Sequence, residues 1–194
     1  MKRILCAILV LQSFIVSAQE NYFGWENPKK QEQEITQQDI NLKIENESLL
    51  WQKVYNGDYT FDEMLSNLQN CGKFSDIAAA NGVISCYMPA TAFDIQGAGF
   101  KRGGVPMYLA LNDFTAFIRI QIKDGRYRVT VSDIVLIANQ DTSLGKMGEK
   151  ISIETYAIKR GELSQQAYKY IEPILTNQLD KIFNFSTSVL SDNW

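Results

Sequence analysis

The chain alternates between apolar and polar residues on both sides of Asp124-Gly125. The apolar positions are Ile118, Ile120, Ile122, Tyr127, Val129 and Val131. An Asp-Gly dipeptide between two such segments is a strong signal of a two-residue hairpin turn, in which both central residues need positive φ. This turn places apolar residues opposite apolar residues and polar residues opposite polar residues. Residues 115–138 are therefore predicted to form an antiparallel hairpin with one buried face.

Other segments have the composition or alternation of strands. They are residues 49–56, 82–88, 105–111 and 150–156, and a short edge strand that would contain Ile40, Leu42 and Ile44. A capping box at Thr60 predicts the start of a helix, which Gly72 would end. Residues 164–189 have apolar side chains at helical spacing, and Pro173 predicts a kink near Tyr170. This order predicts an α+β fold, an antiparallel sheet with helices on one face and a long C-terminal helix.

The N-terminus has the pattern of a secretory signal peptide. Lys2 and Arg3 precede an apolar stretch that ends in small residues, so residues 1–18 are predicted to be removed before Gln19. Without Lys2 and Arg3 the formal charge changes from −3 to about −5. We therefore expect an exported protein in the periplasm, on the outer membrane or outside the cell. After the signal, no apolar stretch approaches the length of a membrane span.

The remaining chain is predicted to have two parts. Residues 19–48 are rich in Gln, Glu, Asn and Lys, which indicates a polar tail or linker that buries too little to fold alone. The aromatic residues Tyr22, Phe23 and Trp25 in this tail suggest a partner-binding role, and incidental contacts are the alternative. Residues 49–194 have the length of one α+β domain.

The sequence lacks the residues of common catalytic and metal sites. It contains no histidine, which excludes Ser-His-Asp catalysis, Cys-His catalysis and histidine metal ligands. Two cysteines follow the signal, and an exported location allows Cys71 and Cys86 to form a disulfide; two buried thiols are the alternative. The glycine-rich residues 97–104 lack the Gly-Lys-Ser/Thr ending of a phosphate loop. We therefore predict no cofactor and no metal.

The polar side of the predicted hairpin is rich in cations. They are Arg119, Lys123, Arg126 and Arg128. Four cations on adjacent strands of an acidic chain suggest a contact surface for an anionic partner, with Trp51 or Tyr55 as stacking neighbours. The alternative is a solvated face whose cations pair with nearby carboxylates of the same chain.

Parts of the sequence resemble a known family. They are residues 50–54 (LWQKV), a short helix from Thr60, residues 122–128 (IKDGRYR) and residues 132–134 (SDI). In this order they resemble a secreted Bacteroidota domain of unknown function with a TBP-like (TATA-box-binding-protein-like) fold, over residues 49–137. The resemblance implies a curved antiparallel sheet backed by helices and implies no activity. A TBP-like shape alone does not imply DNA binding, and the acidic charge predicts no nucleic-acid partner.

Two classes of function remain open. The first is an exported, non-enzymatic binding module that holds its partner through the basic sheet face or the aromatic tail. The second is a hydrolase whose catalytic carboxylates converge only in the fold. A cleft with two facing carboxylates of perturbed pKa would favour the hydrolase, and a shallow surface would favour the binding module.

Overall fold

A computed structural model describes residues 40–143 and 145–185. Within these residues, seven strands form one antiparallel sheet. The strands are β1 (Leu42–Glu45), β2 (Ser48–Asn56), β3 (Ser75–Ala80), β4 (Val83–Ala92), β5 (Asn112–Lys123), β6 (Arg126–Ala138) and β7 (Lys150–Ser152). Their order across the sheet is β1-β2-β6-β5-β4-β3, and β7 also pairs with β6. Two short strands, β8 (Ile158–Lys159) and β9 (Glu162–Leu163), form a separate hairpin.

The helices are α1 (Phe61–Asn70), α2 (Met107–Ala110), α3 (Glu154–Ala157) and α4 (Glu172–Phe183). The predicted capping box begins α1, since the Glu63 side chain accepts from the Thr60 amide and the Glu63 amide donates to the Thr60 hydroxyl. A π-helical turn, Ala167–Ile171, precedes α4, and Pro173 lies in the first turn of α4. The interruption that Pro173 predicted near Tyr170 is therefore present. The predicted α+β class, with helices beside an antiparallel sheet, is confirmed.

The central hairpin has the register that the alternation predicted. Lys123 pairs with Arg126, and Ile120 pairs with Val129. Gly125 has φ +68°, but Asp124 has no positive φ, so the prediction of positive φ at both turn residues is wrong for Asp124. A turn with positive φ only at its glycine avoids left-handed backbone at the aspartate.

The sheet has two very different faces. On one face, which we call the inner face, the side chains of Ile118, Ile120 and Val129 are completely buried. Helix α1 packs there through Met64 and Leu68, and α4 packs there through a row of apolar residues. Those of α4 are Ile174, Leu175, Leu179 and Phe183. The opposite face, which we call the outer face, consists of the alternating residues of the same strands.

Several predicted elements are different in the structure. Residues 105–111 contain the short helix α2 and no strand, because one helical turn lets the adjacent Tyr108 and Leu109 both reach the core. The predicted strand 150–156 ends at Ser152 and is followed by α3. Strand β3, an edge strand, was not predicted. The C-terminal helix α4 ends at Phe183, with Asn184 as its C-cap, and residues 186–189 of the predicted helix lie outside the described residues.

The predicted edge strand near Leu42 is present as β1, so the sheet begins at Leu42, before the predicted domain start at Leu49. The predicted signal peptide, residues 1–18, and the aromatic residues of the tail lie outside the described residues. None of the helices in the described part of the chain is both long and apolar enough to span a membrane.

Candidate functional site

The four predicted cations all lie on the outer face of the β5–β6 hairpin. The register pairs Arg119 with Thr130, Gln121 with Arg128, and Lys123 with Arg126. Each of these pairs forms one row across the sheet, and every row contains at least one cation. Because the side chains of a strand alternate between faces, the three rows follow each other at intervals of about 7 Å.

These cations do not pair with carboxylates of the described residues. The ion pairs in this part of the chain are formed by Lys43 with Glu45, by Lys53 with Asp180 and by Lys181 with Asp94. Arg128 instead donates from Nε to the amide oxygen of Gln121 at 3.1 Å and also donates from its terminal nitrogen to the same oxygen. The four cations thus form no ion pair within the described residues, and the nearby Glu45 carboxylate, which lines the same depression as Arg119 and Arg128, pairs with Lys43.

Two partly open depressions lie along this face. One has a volume of about 350 Å³ and is lined by residues that include Arg119, Arg128, Thr130, Gln52 and the acidic Glu45. The other has a volume of about 530 Å³ and surrounds the end of the hairpin at Lys123, Arg126 and Arg128. Both volumes lie within the roughly 300–1,000 Å³ that ligand-binding clefts occupy.

The aromatic neighbours that the sequence suggested for this face are elsewhere. Trp51 and Tyr55 point to the inner face and are buried, so that suggestion is wrong. In β2, Leu50 and Val54 lie on the outer face. Trp51 and Tyr55 alternate with these two residues along the strand and therefore lie on the buried inner face. The outer face has a different aromatic pair, Tyr87 and Phe117, with ring centroids 5.0 Å apart.

Tyr87 and Phe117 were not predicted from the sequence to belong to this face. The signal was present in the alternation of the predicted strand 82–88, because Tyr87 alternates with Cys86 and Met88, which are buried. Phe117 likewise precedes the buried Ile118 in the hairpin. Both rings therefore belong to the same side as Arg119, since β4 and β5 pair Tyr87 with Phe117.

The inner face holds its polar groups against α4. The indole of Trp51 donates to the Thr176 hydroxyl at 2.8 Å, and the Tyr55 hydroxyl donates to Asp180 at 2.7 Å. Burial and the neighbouring carboxylate of Asp180 raise the pKa of Tyr55 well above its usual range. Tyr127 stacks on Tyr55 with ring centroids 5.2 Å apart. These contacts join the C-terminal helix to the sheet.

The two cysteines are free thiols in the structure, so the predicted disulfide is not formed there. Cys86 is buried in β4, and Cys71 is exposed at the end of α1. The Cys71 thiol donates to the Leu68 carbonyl oxygen at 3.1 Å. Burial raises the pKa of the Cys86 thiol to about 12, with a smaller contribution from the nearby Cys71. Cys86 is therefore a protonated core residue at neutral pH, unsuited to nucleophilic chemistry.

Two carboxylates of the described residues have a shifted pKa, and both shifts are downward. The pKa of Glu63 is lowered by its bond to the Thr60 amide, and the pKa of Asp94 is lowered by the Lys181 ammonium group. Lowered values leave both groups ionised at neutral pH, whereas a general acid needs a raised pKa. In the described residues, no three potential metal-ligating side chains converge on one point.

Two solved structures match the chain at low sequence identity. One is a TBP-like protein from Parabacteroides distasonis, with 15% identity and a TM-score of 0.43 over 76% of this chain and 92% of that chain. The other is a DUF4468 family protein from Bacteroides ovatus, with 12% identity and a TM-score of 0.46 over 77% of this chain and 89% of that chain. No family model matches the sequence, and no curated protein matches it.

Proposed function

We propose that the protein is an exported, non-enzymatic binding module that holds an anionic partner on the outer face of its sheet. The observation that carries this proposal is the set of cations on the β5–β6 hairpin. The set consists of Arg119, Lys123, Arg126 and Arg128, and none of these residues pairs with a carboxylate of the described chain.

Electrostatics favour a partner over a purely structural role for these residues. Lys123 lies directly opposite Arg126, and like charges in this position destabilise a sheet. The chain as a whole carries a formal charge of −3, so general solubility does not require a cluster of cations. An anion bound along these rows would remove the repulsion and form charge-assisted hydrogen bonds with the arginines.

The exported location rests on the sequence pattern of residues 1–18. Determination of the N-terminal sequence of the protein purified from its own cells tests this part of the proposal. We expect the chain to begin at Gln19 and to be found outside the cytoplasm. An unprocessed N-terminus on a cytoplasmic protein would contradict export without affecting the binding face.

Binding is tested by titrating the full-length protein with dextran sulfate, and with neutral dextran as the matched polymer. We expect binding to dextran sulfate alone, with an affinity that falls linearly with salt concentration on logarithmic axes. The double substitution Arg126→Glu with Arg128→Glu should abolish the binding, since it reverses the charge of adjacent rows.

A matched variant controls for net charge. Lys146→Glu with Lys159→Glu makes the same change in charge at two exposed sites away from the sheet face. This control should bind dextran sulfate as the wild type does. Equal losses in the two double variants would show that overall charge governs the interaction, and the proposed face would then be wrong.

A further inference from the structure

The outer face combines an aromatic platform with the cations. Tyr87 is 47% exposed, which is unusual for a large side chain in a central region of a sheet, and its ring contacts that of Phe117. Phe117 is two residues before Arg119 on the same strand. The aromatic pair therefore forms the next row beyond the row of Arg119, at an interval of about 7 Å.

The successive rows make one extended track. From Phe117 to Lys123 the track follows β5 for about 20 Å. It starts with aromatic rings, continues past Arg119 and Arg128, and ends at Lys123 and Arg126. A track of this length suits a short linear polymer that lies along the strands.

The positions between the charges carry amides and hydroxyls. Ser85 is opposite Arg119 on β4, and Ser132 is opposite Phe117 on β6. Neither serine side chain forms a hydrogen bond within the described residues. Gln121 accepts from Arg128, which leaves its amide nitrogen available as a donor. These groups can donate and accept, as a ligand rich in hydroxyls requires.

We infer that the outer face recognises an acidic oligosaccharide, a chain of sugar rings that carry carboxylates. This inference rests on the proposed function and specifies its partner. The aromatic pair stacks on the apolar face of a sugar ring, the arginines bind carboxylates in bidentate geometry, and the serines and Gln121 bind ring hydroxyls. Charge complementarity and the mixed polar surface together favour this ligand.

A single-stranded nucleic acid fits the face less well. Such ligands are bound by a strongly basic groove with aromatic rings for successive bases. Here the aromatic pair occupies one end of the track, and the remaining rows present charged, amide and hydroxyl groups to the ligand. An acidic peptide would use the cations but would leave the aromatic platform and the hydroxyls without a matching partner.

Calorimetric titration of the full-length protein with three probes of equal charge tests the inference. The probes are an oligogalacturonate, an oligoglutamate and an oligothymidylate, each at ~0.15 M salt, where exposed charges are partly screened. We expect the oligogalacturonate to bind at least tenfold more tightly than the other two probes. Arg119→Gln with Arg128→Gln should weaken the binding of all three probes.

The aromatic row supplies the discriminating variant. Tyr87→Val keeps a strand-forming residue but removes the ring, and we expect it to lower the affinity for oligogalacturonate about fivefold without changing the affinity for oligoglutamate. Tyr87→Phe keeps the ring and should retain most of the affinity. Met107→Ala removes a side chain of similar exposure, 49%, from α2 and should leave all three affinities unchanged.

The outcomes separate this inference from the proposed function. Equal affinity for oligogalacturonate and oligoglutamate, with no effect of Tyr87→Val, would overturn the saccharide inference and leave the anion-binding face intact. Tightest binding of oligothymidylate would overturn it in favour of a nucleic acid. Failure of all three probes and of dextran sulfate to bind would reject both proposals, whereas binding of dextran sulfate alone would reject only the saccharide inference.

Discussion

The two faces of the β5–β6 hairpin are built from alternating residues of the same strands, yet the side chains of one face are buried and the cations of the other are exposed. Ile118 and Val129 on the inner face are completely buried beneath helices. Arg119 and Arg128, their immediate neighbours in sequence, are exposed on the outer face. The local backbone is common to both faces, so the difference arises from where the helices pack.

Polar groups show the same contrast. In the described residues, every buried side-chain nitrogen and oxygen has a hydrogen-bond partner. Trp51 and Tyr55 both donate to side chains of α4. The outer face instead leaves like charges opposite each other at Lys123 and Arg126. Within the described residues, the inner face is thus satisfied by contacts of the chain itself, whereas the outer face carries exposed cations without ion-pair partners.

The strongest test of this contrast is Trp51→Ala on the inner face. We expect the free energy of unfolding to fall by about 3–5 kcal/mol, because a large buried ring is replaced by a cavity. The Thr176 hydroxyl also loses the indole as a donor. Urea unfolding followed by circular dichroism measures the change. Trp51→Phe, which keeps an aromatic ring, should cost clearly less, and an equal cost for both variants would contradict the packing explanation.

The second test is the pH dependence of stability, which reports on the ionisation of buried tyrosines. Burial raises the pKa of Tyr127 to about 12 and that of Tyr108 to about 12. An unfolded tyrosine ionises near pH ~10. Below pH ~10 these tyrosines are neutral in both the folded and the unfolded protein, and their full contribution to stability is present. Between pH ~10 and ~12 the tyrosines of the unfolded protein lose protons that the folded protein keeps. The free energy of unfolding therefore falls as the pH rises through this interval.

The urea midpoint, measured at pH values across this interval, should therefore decrease steadily. Tyr127→Phe removes one of the ionising groups, so its midpoint should decrease less steeply than that of the wild type. A midpoint that stays constant up to pH ~12 would show that the inner face does not hold its tyrosines in the neutral form.

The inner face was largely predictable from sequence because its signals are local. The alternation around Asp124-Gly125 gave the register of the hairpin, and the capping box at Thr60 gave the start of α1. Strand β3 was missed because its sequence, SDIAAA, has only one β-branched residue, Ile77, and is otherwise made of residues that are uncommon in strands. The turn at Asn81-Gly82, with φ of 51° and 72°, was the available signal.

The outer face was predictable only in part. Alternation placed Arg119 and Arg128 on one side of the hairpin, but it cannot show whether another element covers that side. It also could not assign Trp51 and Tyr55 to a face, because this requires the pairing of β2 with β6. Such pairing joins segments distant in sequence, and no local pattern specifies it.

A third test concerns α1, which covers part of the inner face. Thr60→Ala removes the hydroxyl that accepts from the Glu63 amide, and we expect a loss of about 1 kcal/mol in the free energy of unfolding. Thr60→Ser retains the acceptor and should restore most of the stability. Thermal unfolding of the two variants measures the difference. Equal stability of the alanine and serine variants would show that the capping box contributes little.

The smallest expected change in stability is on the outer face, where Arg119→Gln should alter the free energy of unfolding by less than about 0.5 kcal/mol. Arg119 is exposed, and it forms no ion pair with a described residue whose loss would cost energy. Loss of one of several nearby cations also lowers the repulsion on this face. A residue retained for stability would give a larger effect, so urea unfolding of Arg119→Gln separates a structural role from a role in binding. A loss comparable to that of Thr60→Ala would show that the outer face, like the inner face, is held by contacts within the chain.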